Sequence, residues 1–261
     1  MTENIDIDSE GAILSVQVTG EGPLLVMIPG GGGTGGRYAR VAVHLAGHWT
    51  VATYDRRCCG ASTGDRTAPF SMDQQARDAA AVIRGLGYER ADVFGNSGGA
   101  NIALALASAF PARIARLVVH EPPLTPLLPD AADWGAYSDR IVAAFRAGDP
   151  RAAFGLFLSE IRGLQGPPPG PPPEPRDMAF FLGHELTPIS RYAPDPANLR
   201  GLRMVAAYGE GSTGAYYART AEILSEQAQC PLVRFAGHHF SFADTPEAFA
   251  SDLVAAFDRA G

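Results

Sequence analysis

Apolar and polar positions divide the chain into short apolar runs and amphipathic stretches, which alternate and are joined by glycine-containing segments. The apolar runs predict strands at residues 12–18, 24–28, 49–55, 91–95, 116–120, 202–208 and 231–235. The stretches between them predict helices at about residues 37–46, 72–87, 100–110, 214–228 and 246–259. The helix predicted at 100–110 is apolar almost all round, as a buried helix would be. This alternation is typical of an α/β fold with a mostly parallel central sheet and helices on both faces.

The alternation stops between residues 122 and 200, where the pattern predicts helices and no strand. Within this segment, residues 166–175 read GPPPGPPPEP, which predicts an extended, polyproline-like connection. We interpret residues 122–200 as a helical cap inserted into a core domain that is formed by residues 1–121 and 201–261.

Composition narrows the class of protein. The chain has 261 residues, 46% of them hydrophobic, which is enough to bury one large core. Its net charge is -7 and its basic residues are scattered, which argues against a nucleic-acid partner. The acidic N-terminus lacks the features of a signal peptide, and no apolar run reaches transmembrane length. We therefore expect a cytoplasmic protein that does not contact a membrane.

The cysteines indicate neither a disulfide framework nor a metal site. The chain has only three cysteines, Cys58, Cys59 and Cys230, which are too few for a disulfide framework. No spacing of Cys and His residues fits a metal site. We interpret all three as free thiols and expect no metal ion.

The segment GNSGG at residues 95–99 joins a predicted strand to the apolar helix. It matches G-x-S-x-G, in which the serine sits at a sharp strand-to-helix turn with its hydroxyl above the sheet. In a chain with 30 glycines the same letters also fit an ordinary tight turn. The strand before the segment and the buried helix after it favour Ser97 as a nucleophile.

A second glycine-rich turn, PGGGGTGG at residues 29–36, also follows a predicted strand. The backbone N–H groups of Gly31 and Gly98 would form an oxyanion hole, in which one donor typically lowers the barrier by about 3 to 4 kcal/mol. The alternatives are a flexible loop and a phosphate-binding loop, although the GK[ST] sequence of a P-loop is absent. We assign Gly30 and Asn96, beside these donors, to the substrate-binding surface.

A serine nucleophile needs a base to take its proton and a carboxylate to orient that base, in the order serine, acid, histidine. His238 and His239 follow the last predicted strand, where the base is required. The acid has two candidates: Glu210 stands at the commoner position, after the strand that follows the helical segment, and Glu121 directly follows the strand before that segment. Position along the sheet favours Glu121, and Glu210 stays the alternative.

Three segments resemble the α/β-hydrolase superfamily, and the resemblance covers nearly the whole chain. They are YDRRCCGAST at residues 54–63, GNSGGA at 95–100 and HHFSFADTPEAF at 238–249. The catalytic histidine of that superfamily commonly precedes a proline by seven positions. This implies His239, seven positions before Pro246, with His238 as the alternative.

The segment HEPP at residues 120–123 is similar to capped members of the superfamily, such as zearalenone lactonase and the haloalkane dehalogenases. Some of these carry a catalytic glutamate at that strand end, which implies Glu121 as the acid. Dehalogenases and epoxide hydrolases use an aspartate nucleophile, so Ser97 argues against both of those chemistries.

Together these features predict a serine hydrolase that cleaves an ester or lactone of a hydrophobic small molecule through an acyl-enzyme, without a cofactor. Aromatic residues of the helical segment are expected to contact the substrate, or else to form that segment's own core: Trp134, Tyr137, Phe157 and Phe181. One alternative is a carbon-carbon bond hydrolase, or a non-hydrolytic biosynthetic enzyme, on the same triad. Another is a small-ligand-binding, receptor-like protein with a slow or vestigial triad. The sequence leaves the oligomeric state open, a homodimer included.

Overall fold

The structure is a computed structural model, which describes residues 2–164, 166–169 and 173–261. Eight strands form one sheet: β1 (Thr2–Ser9), β2 (Ala12–Thr19), β3 (Leu24–Ile28), β4 (Thr50–Tyr54), β5 (Ala91–Asn96), β6 (Ile114–His120), β7 (Met204–Gly209) and β8 (Leu232–Phe235). Their order across the sheet is β1-β2-β4-β3-β5-β6-β7-β8. The β1-β2 and β2-β4 pairs are antiparallel, and the other neighbours are parallel.

The helices, in chain order, are α1 (Ala39–Leu45), α2 (Met72–Gly85), α3 (Gly98–Ala109), α4 (Ala131–Arg146), α5 (Pro150–Ser159), α6 (Pro175–Phe180), α7 (Leu186–Ser190), α8 (Tyr216–Ala228), α9 (Ser241–Asp244) and α10 (Pro246–Arg259). A π-helical turn, Phe181–Glu185, joins α6 to α7. Short 3-10 helices span Gly35–Tyr38, Pro111–Arg113, Thr125–Leu127, Pro196–Leu199 and Glu210–Ser212.

The predicted fold class, a mostly parallel sheet between two helical layers, is confirmed. All seven predicted strands are present, and the apolar stretch that follows GNSGG forms the buried helix α3. The prediction missed β1, because the N-terminal segment is polar and acidic. In the structure Ile7 is buried and β1 pairs with β2 along its whole length, so alternate residues face the protein while the acidic ones face solvent.

The core lies on both faces of the sheet. Leu24, Val26 and Ile28 of β3 pack with residues of α2 and α3, whereas Leu25 and Met27 face the opposite side and pack with α1 and α10. Because both faces are covered, β3 is apolar at every position rather than at alternate ones. This arrangement makes the central strands rigid supports for the groups at their carboxyl ends.

Between β6 and β7, the described residues form helices and no strand. These inserted helices have a small core of their own, which includes Ile141, Ala153 and Leu182. A buried ion pair attaches them to the rest of the protein, since both nitrogens at the tip of Arg56 lie 2.7 Å from the carboxylate of Glu185. No helix in the described ranges is both long and apolar enough to cross a membrane.

Candidate active site

The turn that carries Ser97 is tightly constrained by its neighbours. β5 ends at Asn96 and α3 begins at Gly98, and Ser97 between them has a φ of +56°, in the left-handed region that residues other than glycine rarely adopt. A Cβ atom on Gly99 would lie 2.1 Å from the carbonyl oxygen of Ile28, so α3 can approach β3 this closely only with glycine there. The turn has the strand-to-helix geometry that G-x-S-x-G predicts.

Glu121 and His239 are in direct contact. The Oε2 atom of Glu121 lies 2.5 Å from Nδ1 of His239, and Oε1 accepts a hydrogen bond of 2.9 Å from the backbone N–H of Gly209. Glu121 is fully buried, and His239 is 2% exposed. With a carboxylate at Nδ1, the ring carries its proton there, which leaves Nε2 free to accept one.

The two alternative residues are placed differently. The side chain of Glu210 is exposed on the 3-10 turn after β7 and forms no hydrogen bond with a described residue. His238 pairs through Nε2 with Asp244, at 2.7 Å, in a contact at the surface. The structure therefore brings together Glu121 and His239, and it places Glu210 and His238 in other surroundings.

The Glu121 carboxyl is held in its charged form. Burial by itself raises its pKa, but the imidazoles of His120 and His239 outweigh that effect and the pKa falls to about 2. Burial lowers the pKa of His120 to about 4, and the adjacent carboxylate opposes this only in part, so the His120 ring is neutral at pH 7. At neutral pH, where His120 is uncharged, the hydrogen bonds from His239 and from the Gly209 N–H stabilise the negative charge on Glu121.

The glycine-rich loop lies directly against this turn. A Cβ atom on Gly30 would be 2.8 Å from the backbone oxygen of Asn96 and 3.4 Å from the backbone nitrogen of Gly98. Arg56 donates hydrogen bonds to the carbonyls of Pro29 and Gly30, at 3.1 and 3.0 Å, which fixes the loop. Gly98 also begins α3, and the N–H groups in the first turn of a helix favour negative charge.

Ser97 and His239 open on one cavity of about 450 Å³, which lies between the glycine-rich loop and the inserted helices. Four residues expected to contact substrate line it: Gly30, Asn96, Phe157 and Phe181. Gly31 is also in the lining, and a Cβ atom there would be 3.0 Å from the Phe181 ring. The cavity wall is mainly aromatic and aliphatic.

Trp134 and Tyr137, although expected at the cavity, do not line it. The Trp134 ring lies 4.3 Å from that of Tyr216 in α8, and its indole N–H donates to Asp130. The Tyr137 hydroxyl donates to the carbonyl of Leu156 on the neighbouring helix, at 2.5 Å. Both side chains therefore hold helices together, which corrects their assignment to the substrate surface.

Sequence reasoning missed several residues that line the cavity. They are Arg37, Tyr38, Leu158, Met178, Phe240, Phe242 and the prolines 167–169 and 173. Phe240 was detectable, since it directly follows His239, and the prolines lie in the segment predicted to be extended. Of residues 166–175, those at 170–172 lie outside the described residues.

The described residues contain no group of His, Cys, Asp and Glu side chains that could hold a metal ion. All three cysteines are unpaired. Burial raises the pKa of the Cys58 and Cys59 thiols, so neither is a reactive thiolate at neutral pH.

Comparison with known proteins places this architecture in a family. The family model described as the alpha/beta hydrolase fold matches residues 23–164, a stretch that includes β3 to β6 and the Ser97 turn. The chain therefore belongs to the α/β hydrolase fold family, and hydrolysis is the class of chemistry that this membership supports.

Individual relatives agree with this assignment. YraK of Bacillus subtilis, named as an uncharacterized hydrolase, is 26% identical, and the match covers 93% of this chain and 92% of YraK. An α/β hydrolase of Sphaerobacter thermophilus is 27% identical with a TM-score of 0.72, over 98% of this chain and 100% of that one. A thermophilic esterase from Thermogutta terrifontis has the same fold, with a TM-score of 0.78 at 16% identity, over 99% of each chain.

Proposed function

We propose that the protein is a serine hydrolase that cleaves an ester or lactone of a hydrophobic small molecule through an acyl-enzyme. Ser97 is the nucleophile, His239 the base and then the acid, and Glu121 the carboxylate that orients His239. The observation that carries the proposal is the buried Glu121-His239 hydrogen bond beside the cavity that Ser97 lines.

The steps follow from this arrangement. The Ser97 hydroxyl adds to the carbonyl carbon while His239 Nε2 takes its proton, and the N–H groups of Gly31 and Gly98 stabilise the oxyanion. His239 then returns the proton to the leaving alkoxide, which breaks the ester bond and leaves Ser97 acylated. In the second half, water gives a proton to His239 and attacks the acyl-enzyme. The bond to Ser97 then breaks, the acid is released, and His239 returns the proton to the Ser97 oxygen.

The cavity supports a hydrophobic small molecule as the substrate. Its size lies within the range of small-molecule sites, and most of its wall consists of aromatic rings and prolines, including Phe154, Phe157, Phe240 and Phe242. The likeness of HEPP at 120–123 to capped lactonases is consistent with a lactone. The serine nucleophile distinguishes this proposal from hydrolases that use an aspartate.

Labelling with a fluorophosphonate, followed by peptide mapping, tests the nucleophile and the acid together. We expect rapid modification of Ser97 in the wild type and in Glu210→Gln, and none at this position in Ser97→Ala. In Glu121→Gln the rate should fall by about 10³- to 10⁴-fold, because His239 loses the charge that orients it. Glu210→Gln is the matched control, since it removes an equal charge from an exposed position at the next strand end.

An unlabelled Ser97 in folded wild-type protein would contradict the hydrolase proposal and would direct attention to ligand binding. If Glu210→Gln rather than Glu121→Gln slowed the reaction, the acid would be misassigned. Melting curves of all variants show whether a loss of labelling reflects chemistry or unfolding.

A further inference from the structure

Arg37 lies in the cavity wall, and no acidic group accompanies it. None of the described residues that line the cavity is an aspartate or a glutamate, and Arg37 is the only one of them that is a cation at neutral pH by its ordinary pKa. The internal residues outside the described ranges are Gln165, Gly170, Pro171 and Pro172, so they contain no carboxylate either. Among the described residues, the cavity therefore contains no carboxylate that could pair with the Arg37 guanidinium.

The contacts of Arg37 leave its guanidinium free to bind an anion. Its guanidinium carbon lies 5.1 Å from the centre of the Phe240 ring, and among the described residues it has no hydrogen bond and no ion pair. Burial lowers its pKa, with no neighbouring carboxylate to oppose the effect. A partly buried cation without a partner is costly, so such a group in a binding cavity is a candidate to bind an anion.

Arg56 shows what this fold does with an arginine whose role is structural. It is fully buried, but Glu185 binds it through both of its carboxylate oxygens, and the Pro29 and Gly30 carbonyls and the Gln75 side chain accept its other hydrogen bonds. The Glu185 carboxylate outweighs burial and raises the pKa of Arg56. Arg37, which directly follows the same loop, has none of these partners.

The backbone that carries Arg37 is held in place close to the reacting groups. Gly35, two residues earlier, donates its N–H to Asp55 at 2.9 Å, and a Cβ atom on it would be 2.6 Å from the backbone nitrogen of Tyr54. Phe240 is a neighbour of both the guanidinium and the base, since its ring centre is also 4.9 Å from that of His239. Arg37 and His239 thus share a neighbouring ring and line the same cavity, so one substrate could reach both.

We propose that Arg37 binds a carboxylate of the substrate, so that the natural ester or lactone is an anion with a hydrophobic body. The ester or lactone in this statement rests on the proposed function, whereas the anion site stands on the cavity itself. Guanidinium and carboxylate form charge-assisted hydrogen bonds, which are among the strongest that side chains make.

Binding to a variant without the nucleophile tests the anion site apart from turnover. In Ser97→Ala, calorimetry compares octanoate with octanamide, which have nearly the same shape and differ in charge. We expect octanoate to bind about 10- to 100-fold more tightly, as a hydrogen-bonded ion pair would give. Adding Arg37→Gln should abolish the preference, Arg37→Lys should keep part of it, and Arg151→Gln, an exposed arginine on α5, should leave it unchanged.

Three results would each overturn the proposal. They are equal affinities of Ser97→Ala for octanoate and octanamide, no measurable binding of octanoate, and a preference for octanoate that persists after Arg37→Gln. Turnover of p-nitrophenyl hexanoate and labelling of Ser97 report separately on the proposed function. If the protein turns over the ester but binds octanoate and octanamide equally well, the hydrolase proposal stands and the anion site is refuted. If octanoate binding depends on Arg37 but Ser97 is not labelled and no ester is turned over, the anion site stands and the hydrolase proposal is refuted.

Discussion

His120 should make the stability of this protein fall in mild acid. The ring is fully buried directly behind the Ser97 turn, and its Nδ1 atom donates to Asn96 Oδ1 at 2.7 Å. Its Nε2 atom is buried without a hydrogen-bond partner among the described residues. The rings of Phe94, Phe235 and Phe249 surround it, so a proton added to Nε2 would place a charge among aromatic side chains.

The size of the effect follows from the pKa of His120, which falls from its ordinary 6.5 to about 4 in the folded protein. Between these values the folded state binds fewer protons than the unfolded state. The stability linked to the neutral ring is therefore complete above pH 6.5 and is lost as the pH falls toward 4. The whole shift corresponds to about 3 kcal/mol, of which about 2 kcal/mol is lost between pH 7.5 and pH 5.0.

Replacement by phenylalanine removes this titration and suits the aromatic surroundings. At pH 7.5, His120→Phe should be less stable than the wild type by about 1–3 kcal/mol, because Asn96 loses its hydrogen-bond donor. The free energy of unfolding in urea, measured at pH 7.5 and 5.0, should show this difference shrink by about 2 kcal/mol at the lower pH. His44→Gln, which removes an exposed imidazole, should follow the wild type at both values. A difference between His120→Phe and the wild type that is the same at both pH values would refute the reasoning.

Two further predictions concern the supports of the site. Glu185→Gln should cost about 3–5 kcal/mol in urea unfolding, because Arg56 stays buried without its anion. Asp139→Asn, which removes an exposed ion pair, should cost at most about 1 kcal/mol, and equal losses would contradict the argument. Gly99→Ala should yield little folded protein, since its Cβ atom would lie 2.1 Å from a backbone oxygen of β3. Gly135→Ala, in α4 with open space around it, should raise stability by about 0.5–1 kcal/mol, and similar melting temperatures for the two alanine variants would be inconsistent with this.

Much of the fold could be predicted because the sheet is mostly parallel. Strands buried on both faces, such as β3, read as continuous apolar runs, and glycine-containing turns separate them from the helices. β1 is not buried on both faces, and it is not a continuous apolar run. It is an edge strand that pairs on one side only, and its single buried apolar side chain, Ile7, gives too weak a pattern among acidic residues.

The cavity wall could not be predicted, because helical periodicity shows that a side chain is apolar but not what it faces. Phe157 on α5 faces the cavity, whereas Tyr137 on α4 packs against α5 and Trp134 against α8. The direction depends on how the inserted helices cross, which is a property of their packing and not of any one helix. Arg37 was missed for a related reason, since a single arginine after a glycine-rich loop gives no pattern at all.

The order of residues along the chain could not decide between Glu121 and Glu210 as the partner of His239, whereas the geometry of the structure does distinguish them. Both residues directly follow parallel strands that are neighbours in the sheet, so both stand at the edge where His239 arrives after β8. The two residues differ in backbone conformation. At Glu121 the φ is +52°, and its N–H still bonds to Ala207 of β7, so the chain turns sharply and the carboxylate reaches back to His239 under full burial. At Glu210 a 3-10 turn begins and the side chain extends into solvent. A left-handed residue other than glycine costs about 1–3 kcal/mol, and its occurrence here, as at Ser97, fits a position where the conformation is needed for the site.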